Sequence, residues 1–408
     1  MTPTRRKTLL RTIAGNTAKA ALLIGSSMLI LFLADRTLQL LGYTDRHGFH
    51  IAHLPNIRAT VDNLEYSYDV ATNSQGLRYK EIPFEKDDNE YRFIVLGDSF
   101  VEGTGVEAGD TFAALLEQQY SRAGHIVRFI NAGLAGTGPH DYLRLFHFIG
   151  RKYQPDAVLI ALFANDAADS KPAALSGLRT SGCITDFVQK TCLLFPRLCA
   201  LAQRARGRLK AKGGWKDRLL SQARTNGIIE ERITEWQKQI PEQLVRGAEE
   251  GRFEGWLIGL GLIEPDYWRI ALDIHGPNAE ERYNSMIAAL GSLVDECREL
   301  GLWVGIVLLP APFEYNAQYG DLWRQSGAVI RSEWLIEETE LAKRLSQWSQ
   351  QRHLPFKSLT PEFRQAQSSA STALHYQLDH HWTPHGHKLA ADAILRWLTS
   401  AGPQHKSD

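Results

Sequence analysis

The sequence carries no net charge, since 46 lysines and arginines are balanced by 46 aspartates and glutamates. Nucleic acid is thereby excluded as a global partner, because phosphate binding needs a basic field. Cysteine is scarce, with four in 408 residues, so a dense disulfide framework cannot be what holds the fold. There is no internal repeat and no low-complexity tract. What remains is 44% hydrophobic and 10% aromatic residues, enough for a sizeable core. The length suits one large domain with an insertion, or two domains.

Charge is unevenly placed at the N-terminus. Arg5, Arg6, Lys7, Arg11 and Lys19 precede an apolar run from Ala20 to Ala34. Cleavage after Ala34 would put the bulky Phe32 at the −3 position, so the run reads as an uncleaved signal anchor over 20–36. It is short for a span, though Ile13 to Ala18 can extend it. The positive-inside rule then leaves residues 1–19 in the cytoplasm and exports the rest, which is expected on the periplasmic side of the inner membrane. The alternative is an ordinary buried helix. Export leaves room for one disulfide among Cys183, Cys192 and Cys199, whereas Cys297 continues a helical apolar spacing and reads as core.

Residues 37–90 show no sustained period and read as a stalk and lead-in. Four apolar, β-rich runs follow at 92–97, 125–131, 156–163 and 302–309, separated by helical patterns. Such alternation predicts an α/β fold with a parallel sheet covered on both faces. Residues 171–280 are far longer than a crossover needs and form a largely helical insertion between domain parts 91–170 and 281–400. The insertion's first half is basic, from Arg204 to Arg218. It reads either as a surface for anionic headgroups or an acidic glycan, or as a solvated helix face. Residues 401–408 are a tail.

Ligands of parallel α/β sheets collect beyond the carboxyl ends of the strands. Ser99 lies at such an end, in "GDSF", and a serine nucleophile needs a base and a group to orient that base. "DHHW" supplies Asp379 and His381 two residues apart, with His380 as a rival base. An oxyanion also needs donors. "NAGLAG" offers the Gly136 N–H and "FAND" the Asn165 amide. Other roles compete: Ser99 as a helix cap, a metal shared by His381 and His385, and Trp382 as site wall or simple packing.

The four blocks in this order resemble the SGNH hydrolases, also called GDSL esterases and lipases, over 91–170 and 282–400. The resemblance implies a flavodoxin-like three-layer α/β/α sandwich. It also implies Ser99 as nucleophile, His381 as base, Asp379 as its orienter, and an oxyanion hole of Ser99, Gly136 and Asn165, with no metal and no cofactor. Asp98 is expected to be structural. Two departures stand out: the family commonly spaces Asp and His three apart, and often has Gly where Phe163 stands. The expected activity is hydrolysis of acyl esters, acetyl among them, of an envelope glycan or lipid. The alternatives are an O-acyltransferase working with a membrane-bound acyltransferase partner on an exopolysaccharide, and a non-catalytic scaffold.

Overall fold

The structure is a computed structural model and describes residues 52–120, 126–170, 214–369 and 372–403, the helical stretch 25–38, and positions 19, 22, 23, 195 and 198. Two units separate, Met1–His50 with Thr180–Lys210 and Ile51–Arg179 with Ala211–Asp408. In the first, helical residues 25–38 expose Leu29, Ile30, Phe32 and Leu33. The Leu198 N–H donates to Asp35 Oδ1 at 3.0 Å. Among the described residues, no helix is long and apolar enough to cross a membrane. Positions 20, 21 and 24 of the expected anchor lie outside the described residues, as do Cys183, Cys192, Cys199 and the basic run 204–212.

The second unit opens with an antiparallel hairpin, β1 (Arg58–Asp62) and β2 (Ser67–Ala71). A five-stranded parallel sheet follows: β3 (Glu90–Gly97), β4 (Ile126–Gly133), β5 (Ala157–Leu162), β6 (Trp303–Leu308) and β7 (Phe356–Ser358). Its order is β4-β3-β5-β6-β7. Counted from β3 this is 2-1-3-4-5, the flavodoxin-like arrangement. β3 and β5 are buried along their whole length, which requires helices on both faces and explains their unbroken apolar sequences. The helix Phe112–Gln119 packs on the closing helix Pro384–Ala401, and Pro139–Phe148 packs on Ala279–Glu299, where Cys297 is buried.

One segment is more structured than expected, and the described part of the expected helical insertion packs into the same core. Residues 52–90, read from the sequence as stalk, are built into the body: Arg78 is buried and donates to the carbonyls of Glu102, Gly103, Asp69 and Val106 at 2.7–3.1 Å. The described part of the insertion forms five helices, Trp215–Thr225, Glu230–Gln239, Glu242–Glu250, Gly255–Ile263 and Tyr267–Leu272. Their Leu219, Ile233, Trp236, Leu257 and Trp268 join the main hydrophobic core.

Candidate active site

β3 ends at Gly97, and the chain turns at once into the short helix Ser99–Glu102. Asp98 caps that helix by accepting the Phe100 N–H at 3.0 Å. With the cap supplied by Asp98, Ser99 is the first helical residue, and its hydroxyl is released from the capping role. Its N–H, like the first donors of any helix, has no intrahelical acceptor. The turn presses on the exit of β4: a Cβ at Gly133 would lie 2.1 Å from the Glu102 nitrogen, so only glycine fits there.

The β3 exit is central, and its neighbours in the sheet are β4 and β5. Gly136, in the loop after β4, and Asn165, in the helix after β5, therefore flank the Ser99 exit on opposite sides. Gly136 has φ +73° and open space where a side chain would stand. Glu102 holds this loop by accepting the Ala135 N–H at 2.5 Å, and it pairs with His53 at 3.1 Å. Asn165 is half-buried and its amide acts on Asp98. Burial lifts the Asp98 carboxyl to about 6, against the Phe100 N–H, His381 and Asn165, which favour the carboxylate.

"DHHW" meets Ser99 from the far end of the chain. His381 Nε2 lies 2.8 Å from Ser99 Oγ, and His381 Nδ1 lies 2.5 Å from Asp379 Oδ1. The two-residue spacing works because Asp379 Oδ1 also accepts the His381 backbone N–H at 3.0 Å. This Asx turn brings carboxylate and imidazole to one side. Burial disfavours the charged imidazole, but the Asp379 carboxylate outweighs it and holds His381 above its ordinary pKa. The hydroxyl's hydrogen-bond partner is His381, whereas His380 has its Nδ1 3.6 Å from Asp379 Oδ1. It stacks on Phe163 with ring centroids 5.6 Å apart, and burial, reinforced by His381, pushes it down to about 3.

Sequence reasoning missed the residues behind Asp379. Tyr66, in the β1–β2 turn, donates its hydroxyl to Asp379 Oδ2 at 2.7 Å, and Asn63 Nδ2 in turn donates to that hydroxyl at 2.9 Å. Glu65 accepts the backbone N–H groups of Gln377, Leu378 and Asp379 at 2.6–2.8 Å. The only available signal was a polar turn between alternating strands.

The remaining histidines separate clearly. His385 is exposed, whereas His387 is buried and its Nδ1 accepts the Phe112 N–H at 3.3 Å. Trp382 packs, stacking on Phe363 with centroids 4.8 Å apart. Among the described residues, Asp379, His380 and His381 bring donor atoms within 4.8 Å of one another and could be offered to a metal. That fit is poor, since both ring nitrogens of His381 are already engaged.

A hydroxyl, an imidazole and a carboxylate in hydrogen-bonded sequence, under a glycine-bearing loop, form an arrangement suited to acyl transfer. A model of the GDSL-like lipase/acylhydrolase family matches residues 95–252. Over those residues the chain is similar to GDSL-type hydrolases. Solved structures similar to it include a lipolytic protein of the G-D-S-L family from Veillonella parvula, at 10% identity, covering 76% of this chain and 99% of that one, TM-score 0.35. A catalytic mutant of an acetylxylan esterase from Geobacillus stearothermophilus is 13% identical, over 79% and 100% of the two chains, TM-score 0.36. A GDSL-like lipase from Bacteroides thetaiotaomicron is 11% identical, over 78% and 91%, TM-score 0.35. No curated protein matches the chain. The GDSL match begins inside β3 and ends in the insertion, short of "DHHW".

Proposed function

We propose that this GDSL-domain protein is an exported, membrane-anchored ester hydrolase that removes acyl groups, acetyl in the simplest case, from a glycan or lipid of the cell envelope. One observation carries the reading: Ser99, His381 and Asp379 stand in unbroken hydrogen-bonded order. Neutral His381 takes the Ser99 proton at Nε2 as Oγ attacks the ester carbonyl carbon. The Ser99 and Gly136 N–H groups and the Asn165 amide meet the charge on the carbonyl oxygen. His381 then returns the proton to the departing alkoxide, leaving an alcohol and an acyl-Ser99 ester. Water, deprotonated by His381, attacks that ester, releases the acid and restores the serine hydroxyl. Asp379 stays ionised and steadies the imidazolium.

Anchoring is supported by the basic residues ahead of 20–36 and by the exposed leucine, isoleucine and phenylalanine side chains of helical residues 25–38. Such a surface seeks an apolar phase.

The test is hydrolysis of 4-nitrophenyl acetate by the full-length protein in detergent micelles. Ser99→Ala and His381→Ala should each lower kcat/KM by about a thousandfold or more. Retained activity in either variant overturns the assignment. If acetyl passes to an oligosaccharide hydroxyl instead of water, the enzyme is a transferase.

A further inference from the structure

Among the described residues, Trp256 is the one tryptophan with an exposed ring, 43% accessible. It is the second residue of the helix Gly255–Ile263, within the insertion. Its exposure is not looseness. The indole Nε1–H donates to the Glu254 carboxylate at 2.5 Å, and the ring meets His380 edge-on with centroids 6.1 Å apart. His380 in turn lies against His381, centroids 4.2 Å apart. The loop leading to Trp256 is pinned from the opposite side, because the Leu64 N–H of the hairpin turn donates to the Arg252 carbonyl at 2.9 Å. Folding gains little from leaving a large ring in water. A ring fixed in one orientation, one imidazole away from His381, is preorganised for a ligand.

The surroundings restrict the ligand's chemistry. An acyl chain would need a concave apolar pocket. Among the described residues, the apolar crevice beside the helix, lined by Leu244, Phe253, Leu257 and Leu378, leaves about 10 Å³, the room of one water molecule. A flat apolar ring with a carboxylate at its edge matches a pyranose, whose C–H face can lie on the indole while a hydroxyl donates to Glu254. We infer that Trp256 and Glu254 form a sugar-binding subsite that holds the alcohol side of a glycan ester against the Ser99–His381 pair. This rests on the hydrolase reading above and names its substrate class.

Binding and chemistry are tested separately. Full-length Ser99→Ala protein is titrated with non-acetylated β-1,4-linked oligosaccharides, neutral and uronic, while tryptophan fluorescence is followed. Saturable binding that weakens about tenfold when Trp256→Ala is added, and is partly restored by Trp256→Phe, is expected. With Ser99 intact, Trp256→Ala should lower the ratio of kcat/KM on an O-acetylated oligosaccharide to that on 4-nitrophenyl acetate by about the same factor, through KM. No binding by any of these oligosaccharides, or an unchanged ratio, overturns the subsite. So does a Trp256→Ala effect confined to long-chain 4-nitrophenyl esters, which would make the ring an acyl contact. Binding without hydrolysis of any ester would leave the subsite standing and remove the hydrolase reading.

Discussion

His381 owes its raised pKa to Asp379, whose charge outweighs the cost of burying an imidazolium. As the proposed base, it must be neutral. Activity should therefore fall as pH drops through a midpoint above the ordinary value of about 6.5, read from kcat/KM against pH. His380, at about 3, should add no ionisation near neutrality. Tyr66 acts through Asp379, whose Oδ2 its hydroxyl engages. In Tyr66→Phe the carboxylate loses a donor and becomes more basic. We expect about a tenfold loss of kcat and an acid limb moved to higher pH; a merely structural loss would lower activity without moving that limb. The proposed triad was legible because Ser99, Asp379 and His381 lie in short blocks with recognisable order. Tyr66 was not, since a phenol that reaches a carboxylate 313 positions away leaves no local pattern.

At the scale of elements, the closing helix matters as much as the strands. His387 lies inside it, and accepts an N–H at the start of the helix Phe112–Gln119. Burial drives its pKa down to about 3, so in the folded protein it is neutral. The unfolded chain takes up this proton below about 6.5, so the site's contribution is complete above that pH and declines as pH falls. His387→Gln should cost about 2 kcal/mol at pH 7, and about 2 kcal/mol of the gap should vanish by pH 5, as measured by denaturant unfolding. The four long apolar runs announced β3 to β6, but β7 is three half-buried residues, "FKS", too short to show a period. The hairpin was hidden for another reason: polar residues on its exposed face interrupt the apolar pattern.

For the whole molecule, the body of the second unit begins well before the GDSL block. Arg78 gathers four carbonyls from β2 and from the turn that follows Ser99. Its buried guanidinium is more than a surface charge. Arg78→Ala would orphan those acceptors and is expected to cost about 3 kcal/mol of unfolding free energy, with activity lost in step as the turn loosens. A Tm unchanged from wild type would show that the 52–90 segment is dispensable to the body.

The partners bonded at His381 Nε2 and Ser99 Oγ are 282 positions apart, and closing so long a loop has to await nearly the entire polypeptide. During synthesis the serine therefore emerges long before the histidine proposed to activate it. On the proposed mechanism, reactivity toward esters would arise only when the last block docks, so an unfinished chain would not carry it.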